Sequence, residues 1–243
     1  KEYRRQRQMC IRDRVKAKTA LLFDWDNRWA IQDVKALSEN TKNYEKTCIG
    51  IWKEFQKLGV EMDVVSSNDD LSDYKVVVAP MLYLLQSGTA ENLQKFVKNG
   101  GQLLATYFTG YVDKDTLCYL GGFPGDGLAE LFGVISEEID TLYPSDRNSL
   151  CFLDGKKWTV YDYAEILRVQ DAQILASYGT DFYEGSAALT VKEWESDTHT
   201  GENGRAYYIA ARVAPEEMGS LFETMLANAG ICLLYTSPSP RDA

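Results

Sequence analysis

Histidine and cysteine are scarce in this sequence. Its 243 residues include one histidine, His199, and five cysteines, none of which lie in a CxxC pair. Zinc sites and disulfide frameworks use closely spaced cysteines and histidines, and a serine or cysteine nucleophile needs a positioned base. The sequence therefore predicts no metal site and no histidine-assisted nucleophile. It indicates that Cys48, Cys118 and Cys151 are reduced thiols of a cytoplasmic protein.

Long apolar runs and phosphate-binding loops are also missing. No stretch reaches the roughly 18 to 20 apolar residues of a membrane helix. The glycine-rich segment 121–127, GGFPGDG, matches neither the dinucleotide fingerprint nor the P-loop. We therefore expect no membrane span, no nucleotide and no other cofactor. Acidic residues outnumber basic ones by 36 to 26, a net charge of −10, which excludes nucleic acid and anionic membranes as partners.

The two ends of the chain differ in composition from its middle. Residues 1–15 carry six basic and two acidic residues, whereas residues 232–243 read CLLYTSPSPRDA. Both resemble translated sequencing adaptor, so we expect two non-native tails, 1–15 and 232–243, around a single domain at 16–231. The 216 residues of that domain carry a net charge of −14. Its acidity is thus greater than that of the whole chain.

Strand and helix patterns alternate through the first half of the domain. The apolar runs 19–24, 60–65, 75–79 and 102–107 predict buried strands, and apolar residues at three- and four-residue steps predict helices over 44–58 and 87–99. The segment 24–29, DWDNRW, is predicted as a loop. This order indicates an α/β fold with a mostly parallel sheet and helices on both faces.

The second half is less regular. It predicts a short helix at 128–132, strands at 157–163 and 173–178, an antiparallel pair formed by 187–194 and 205–211, and a final helix that begins at Pro215. We therefore expect an irregular antiparallel portion in this half of the fold.

Aromatic and polar residues follow the predicted parallel strands. Open parallel sheets bind ligands beyond the carboxyl ends of their strands, and tryptophan and arginine are frequent in interface hot spots. The residues there are either a sugar- or subunit-binding edge or large side chains that pack over the end of the sheet. The candidates are Asp24, Trp25, Asn27, Arg28, Trp29, Tyr83, Phe108 and Tyr111.

Six segments in order resemble the middle domain, or trimerisation domain, of glycoside hydrolase family 42 β-galactosidases. They are LFDWDNRWA (22–30), VAPMLYL (78–84), GG (100–101) leading into TYFTG (106–110) with VD (112–113), LGGFPG (120–125), DFY (181–183) and GRAYY (204–208). The resemblance spans essentially all of 16–231.

This resemblance implies a class I glutamine amidotransferase-like, flavodoxin-like fold. It also implies a homotrimer in which the domain contacts other subunits and the catalytic TIM barrel of a parent enzyme. In the family, two glutamates of the barrel carry out a retaining hydrolysis of β-D-galactosides. The barrel has no counterpart in this sequence, so no catalytic residue is expected here, and the amidotransferase cysteine is missing from 106–110.

Two alternatives remain open from the sequence alone. The chain could be a free-standing sugar-binding or amidotransferase-like module with its own ligand. It could also be a hydrolase that uses surface carboxylates, since acidic residues are numerous and sequence spacing gives no distance between carboxyl groups.

Overall fold

The first half of the chain builds a parallel βαβ layer. The computed structural model describes residues 16–35, 40–196 and 203–233. Up to residue 106 the elements are β1 (Thr19–Leu22), α1 (Trp25–Asp33), α2 (Tyr44–Lys57), β2 (Met62–Val65), β3 (Val76–Ala79), α3 (Thr89–Lys98) and β4 (Gln102–Thr106).

The second half is dominated by strands. Its elements are α4 (Leu128–Phe132), β5 (Val134–Thr141), β6 (Asn148–Phe152), β7 (Lys157–Val169), β8 (Gln173–Tyr178), β9 (Ala187–Trp194), β10 (Gly204–Ile209), β11 (Ala211–Val213), a 3-10 turn (Pro215–Met218) and α5 (Gly219–Asn228). None of the helices in the described ranges has the length and apolar character needed to cross a membrane.

All of these strands belong to one sheet. Its order is β11-β7-β6-β8-β9-β10-β4-β3-β1-β2. Strand β5 is not part of this series and pairs with β7. Strands β2, β1, β3, β4 and β10 run parallel to their neighbours in that series, and the other pairings are antiparallel. From β1 the chain moves outward to β2 and then returns to β3 on the opposite side of β1. The direction of winding therefore reverses between β1 and β3.

The parallel strands β1, β3 and β4 are buried on both faces because each face is covered by helices. Leu21 and Val78 pack with Phe55 of α2 and Phe222 of α5 on one face. On the other face, the alternate positions of β1, β3 and β4 pack with helices α3 and α4, as in the cluster around Leu93. Side chains alternate across a strand, so continuous apolar runs such as VVVA fill both layers.

The structure confirms the predicted strands of the first half, the helices α2 and α3, and the helices on both faces. The expectation of a mostly parallel sheet is wrong, because six of the ten strand pairings in the described chain are antiparallel. Strands β5 and β6 were not predicted, and β7 extends six residues beyond the predicted strand. Short turns join most of these strands, which favours antiparallel neighbours.

The predicted loop DWDNRW is also wrong, because Trp25 to Asp33 forms helix α1. Only Asn27 and Ile31 of this helix are buried. An apolar stripe, the usual signal of an amphipathic helix, is therefore missing from its sequence. His199 and the predicted tail 1–15 lie outside the described residues, as does 234–243 of the second tail.

Candidate functional site

The candidate residues gather at the carboxyl edge of the sheet, where the winding reverses. Two residues separate β1 from helix α1, and the loop 80–86 follows β3. In open α/β sheets the crevice at such a reversal is the usual position of a ligand site, because the two connections leave the sheet in opposite directions.

Asn27 joins these two segments. Its side chain is buried; its Nδ2 donates to the Met81 carbonyl at 3.0 Å and its Oδ1 accepts from the Leu84 N–H at 2.9 Å. Both bonds satisfy backbone groups of the loop after β3, which adopts positive φ at Met81. Asn27 is therefore a positioning residue that fixes α1 against the loop, and it is not available for contact with a partner.

Asp24 performs a similar task on the other side of β1. It precedes α1, but its carboxylate makes no helix-capping hydrogen bond. It accepts from the Ser66 hydroxyl at 2.6 Å and from the Ser67 N–H at 3.2 Å. The side chain thus ties the end of β1 to the turn after β2.

Trp25 and Trp29 remain on the surface. Their side chains are 58% and 53% exposed, and their ring centroids lie 6.3 Å apart on successive turns of α1. The Arg28 guanidinium lies 5.5 Å from the centre of the Trp25 ring and is paired with Glu45 of α2. This pairing anchors Arg28, and the two indole rings form an exposed ridge.

An apolar groove borders the ridge on the side of the edge strand β2. We call it the Trp25 groove; it encloses about 420 Å³ and is lined by Leu21, Phe23, Trp25, Glu45, Cys48, Ile49, Trp52 and Val64. Ile49, Trp52 and Val64 are exposed large apolar residues. Large contiguous apolar patches are uncommon on monomers and mark interaction surfaces.

A second, more polar cavity borders Trp29. We call it the Trp29 cleft; it encloses about 560 Å³ and is lined by Asp26, Trp29, Ala30, Asp33, Val34, Tyr83, Leu84, Gln86, Val112, Lys114 and Thr116. It shares no lining residue with the Trp25 groove. Of the predicted candidates, Trp29 and the half-buried Tyr83 meet in this cleft.

Phe108 and Tyr111 were candidates for a binding surface, but both side chains lie inside the domain. They therefore do not contact a partner directly. Phe108 adopts φ 64° in the sharp turn after β4, and both side chains are buried among aromatic rings. A nucleophile on a sharp turn after a strand would have to be exposed, whereas here a buried phenylalanine occupies the turn.

Glu165 of β7 lies beneath this turn and was missed by sequence reasoning. Its fully buried carboxylate accepts from the Phe108 N–H at 2.8 Å, the Tyr111 hydroxyl at 2.9 Å and the Tyr208 hydroxyl at 2.7 Å. Burial disfavours the charged form and raises the pKa of Glu165 to about 7, although these donors oppose the shift. A lone glutamate in an alternating strand gives no sequence signal of this role.

The described residues offer no assembled metal centre. No group of three or more histidine, cysteine, aspartate or glutamate side chains in these ranges is placed to hold a metal ion. Burial raises the pKa of the Cys48 thiol to about 12, which keeps it protonated and unreactive at neutral pH. Cys118 is exposed, and Cys151 is half-buried beside the Ser149 hydroxyl.

Comparison with known proteins identifies the family of this chain. The sequence pattern of the family described as "Beta-galactosidase trimerisation domain" matches residues 17–232. The chain is 40% identical over 223 residues to β-galactosidase BglY of Alicyclobacillus acidocaldarius, and 39% identical over 217 residues to β-galactosidase Pbg of Clostridium perfringens. These alignments cover 89% and 87% of this chain but only 31% and 30% of the two relatives.

The fold agrees with this similarity. The structure of Gan42B, a GH42 β-galactosidase from G. stearothermophilus, superposes with a TM-score of 0.82 at 34% identity, over 90% of this chain and 31% of that one. The chain thus spans about a third of the length of the relatives it matches, and none of its described residues forms a TIM barrel. Because the family pattern covers nearly all of the described fold, the chain belongs to the family of β-galactosidase trimerisation domains.

Proposed function

We propose that this chain is the subunit-assembly domain of a β-galactosidase that hydrolyses terminal β-D-galactosides. Its parent would carry the two catalytic glutamates in a separate TIM barrel and would form a homotrimer in the cytoplasm. The domain would hold neighbouring barrels in a fixed arrangement and would contribute no catalytic residue. In this proposal the native domain is 16–231, with adaptor-derived tails on either side, and its fold is related to the class I glutamine amidotransferases.

The observation that carries this proposal is the exposed apolar edge around Trp25. Trp25 and its neighbours Ile49, Trp52 and Val64 present apolar area beside an edge strand, in a domain whose described residues hold no group placed to bind a metal ion. Burial of apolar surface is the main driving force of subunit association, and buried aromatic residues dominate its energetics. We infer that the Trp25 groove, with Arg28 and Trp29 at its rim, contacts a neighbouring subunit or the parent's barrel.

An amidotransferase-like activity is the weaker candidate. Phe108 occupies the turn after β4 where that chemistry requires a cysteine. The backbone N–H of Phe108 donates to the Glu165 carboxylate. A hydrolase based on surface carboxylates would require this chain to turn over a galactoside without a barrel.

A domain exchange tests the proposal. In BglY, the segment that matches residues 17–232 is replaced by those residues of this chain. We expect the folded chimera to have the mass of three chains by sedimentation and to hydrolyse a chromogenic β-galactoside, whereas the 243-residue chain alone hydrolyses none. A folded chimera that sediments as a single chain would refute the assembly role, and turnover by the chain alone would support the hydrolase alternative.

Removal of the two indole rings of the Trp25 groove should weaken assembly. A hot-spot tryptophan contributes on the order of 2 kcal/mol to an interface, which corresponds to about a 30-fold change in affinity for each ring. We expect Trp25→Ala with Trp52→Ala to dissociate the chimera at concentrations where the parent sequence stays assembled, as measured by sedimentation velocity. Phe182→Ala, which removes an exposed ring in the antiparallel half, is the matched control. If the unmutated chimera, the double tryptophan variant and Phe182→Ala had equal masses, the subunit contact would lie outside the Trp25 groove.

A further inference from the structure

The Trp29 cleft has the position of a ligand site. It opens between α1, which follows β1, and the loop after β3, and the winding of the sheet reverses between these two strands. Its volume of about 560 Å³ falls within the range of roughly 300 to 1,000 Å³ that is usual for small-molecule sites. The topology of the fold and the shape of the surface therefore select the same place independently.

The walls of the cleft are held in place by the surrounding structure. On one side, Asn27 fixes α1 to the loop after β3. On the other side, Leu84 pairs with Val112, and the Leu85 N–H donates to the Val112 carbonyl at 2.9 Å. Tyr83 stacks on Tyr111, with ring centroids 5.9 Å apart. A ligand would enter a cavity that is already formed, so little conformational entropy is lost on binding.

The chemistry of the lining selects the class of ligand. Trp29 presents an exposed aromatic ring, and Asp26 accepts from the Gln86 amide at 2.7 Å at the same cavity. Carboxylates and amides bind hydroxyl groups well, because a hydroxyl both donates and accepts a hydrogen bond. Asp26 and Asp33 repel anions such as phosphates, and Lys114 in the same lining offsets their attraction for cations. An aromatic face beside such polar groups suits a neutral ring that carries several hydroxyls.

We propose that the Trp29 cleft binds a neutral sugar, with a hexopyranose ring packed on Trp29 and its hydroxyls bonded to Asp26, Asp33 and Gln86. This activity goes beyond subunit assembly and does not require the catalytic barrel. The site would bind a sugar unit at the edge of the domain and would not catalyse a reaction on it.

Titration of the 243-residue chain with methyl β-D-galactopyranoside tests the proposal. We expect saturable binding in the millimolar range by calorimetry, and at least a tenfold weaker affinity for Trp29→Ala. Asp33→Asn should weaken binding several-fold, which provides a second variant with little change in shape. Trp52→Ala is the matched control, because it removes a partly exposed indole of the Trp25 groove and should leave the affinity unchanged. Thermal unfolding of each variant checks that the fold is retained.

Several outcomes would overturn the proposal. No saturation up to 50 mM with galactoside, glucoside or mannoside would exclude a sugar site, and so would equal affinity of the native chain and Trp29→Ala. Tighter binding of choline than of any sugar would instead assign the cleft to cations, through the face of the Trp29 ring. The mass of the chimera does not enter this titration, so failure of the sugar site leaves the assembly role intact, and the reverse also holds.

Discussion

Glu165→Gln should abolish a loss of stability that the native chain undergoes as the pH rises from 5 to 8. Glutamine is the neutral counterpart of the protonated acid and has nearly the same shape. It therefore keeps an acceptor for the Phe108 N–H and the Tyr111 hydroxyl but never acquires the buried charge. We expect the native free energy of unfolding to fall by roughly 2 to 3 kcal/mol across this interval and that of the variant to stay nearly constant.

The sign follows from proton binding. The pKa of Glu165 is raised from its ordinary value of 4.5 to about 7 in the folded state, because burial penalises the carboxylate. Between these two values the folded chain binds more protons than the unfolded chain, so the free energy of unfolding decreases as the pH rises. The contribution is fully present below about pH 4.5, is lost through pH 7 and then levels off.

Among the described residues, the other shifted pKa values lie outside this interval. The pKa of Asp70 and that of Asp73 are lowered from 3.8 by hydrogen bonds to Ser72 and Lys16. The remaining shifts among the described residues raise the pKa of lysine, tyrosine or cysteine groups that titrate above pH 8, such as Tyr208. Among the groups of the described ranges, the interval from pH 5 to 8 therefore reports mainly on Glu165.

Urea unfolding followed by tryptophan fluorescence at pH 5, 6, 7 and 8 measures the difference. The matched control is Glu91→Gln, at an exposed position of α3, which should follow the native curve. Parallel curves for the native chain and Glu165→Gln would show that the buried carboxylate carries no charge penalty. A variant that is destabilised equally at every pH would assign Glu165 a purely structural role through its hydrogen bonds.

The parallel half of the fold could be predicted from the sequence because both of its signals are local. The run VVVA is buried on both faces of the sheet, and α2 buries Tyr44, Cys48, Ile51 and Phe55 on one stripe. The strands β5 and β6 have no continuous apolar run, because many of their residues are half-buried or exposed. Their pairing with β7 depends on contacts between distant segments, which no local pattern reports.

The surface exposure of two candidate residues could be expected from the sequence, but the structural roles of the others could not. The aromatic and polar segment after β1 indicated a functional edge, and the structure places Trp25 and Trp29 on the surface there. The burial of Asn27 and of Phe108 depends on a helix and a turn that the sequence did not reveal. Glu165 joins this edge from 54 residues beyond Tyr111, so only the folded chain brings the two together.

Asn27→Ala should be among the most damaging single changes at this edge. The alanine would leave the Leu84 N–H buried without an acceptor, and it would remove one of two donors to the Met81 carbonyl, which keeps the Tyr83 N–H at 2.8 Å. An unsatisfied buried backbone group costs on the order of 1 to 3 kcal/mol and loss of a second hydrogen bond adds about 1 kcal/mol, so we expect a loss of roughly 2 to 4 kcal/mol in the free energy of unfolding. Gln32→Ala, at an exposed position of the same helix, should change stability by less than about 0.5 kcal/mol.

Asn27→Asp separates the two hydrogen bonds. The aspartate keeps an acceptor for the Leu84 N–H, but its second oxygen faces the Met81 carbonyl, where the native amide donates. Loss of that donor sets two acceptors against each other in a buried position, so the aspartate should be no better tolerated than alanine at pH 8. Urea unfolding of the three variants beside the native chain measures these effects. If Asn27→Ala were as stable as Gln32→Ala, then α1 would be held to the loop after β3 by other contacts, and the Trp29 cleft would not depend on Asn27 for its shape.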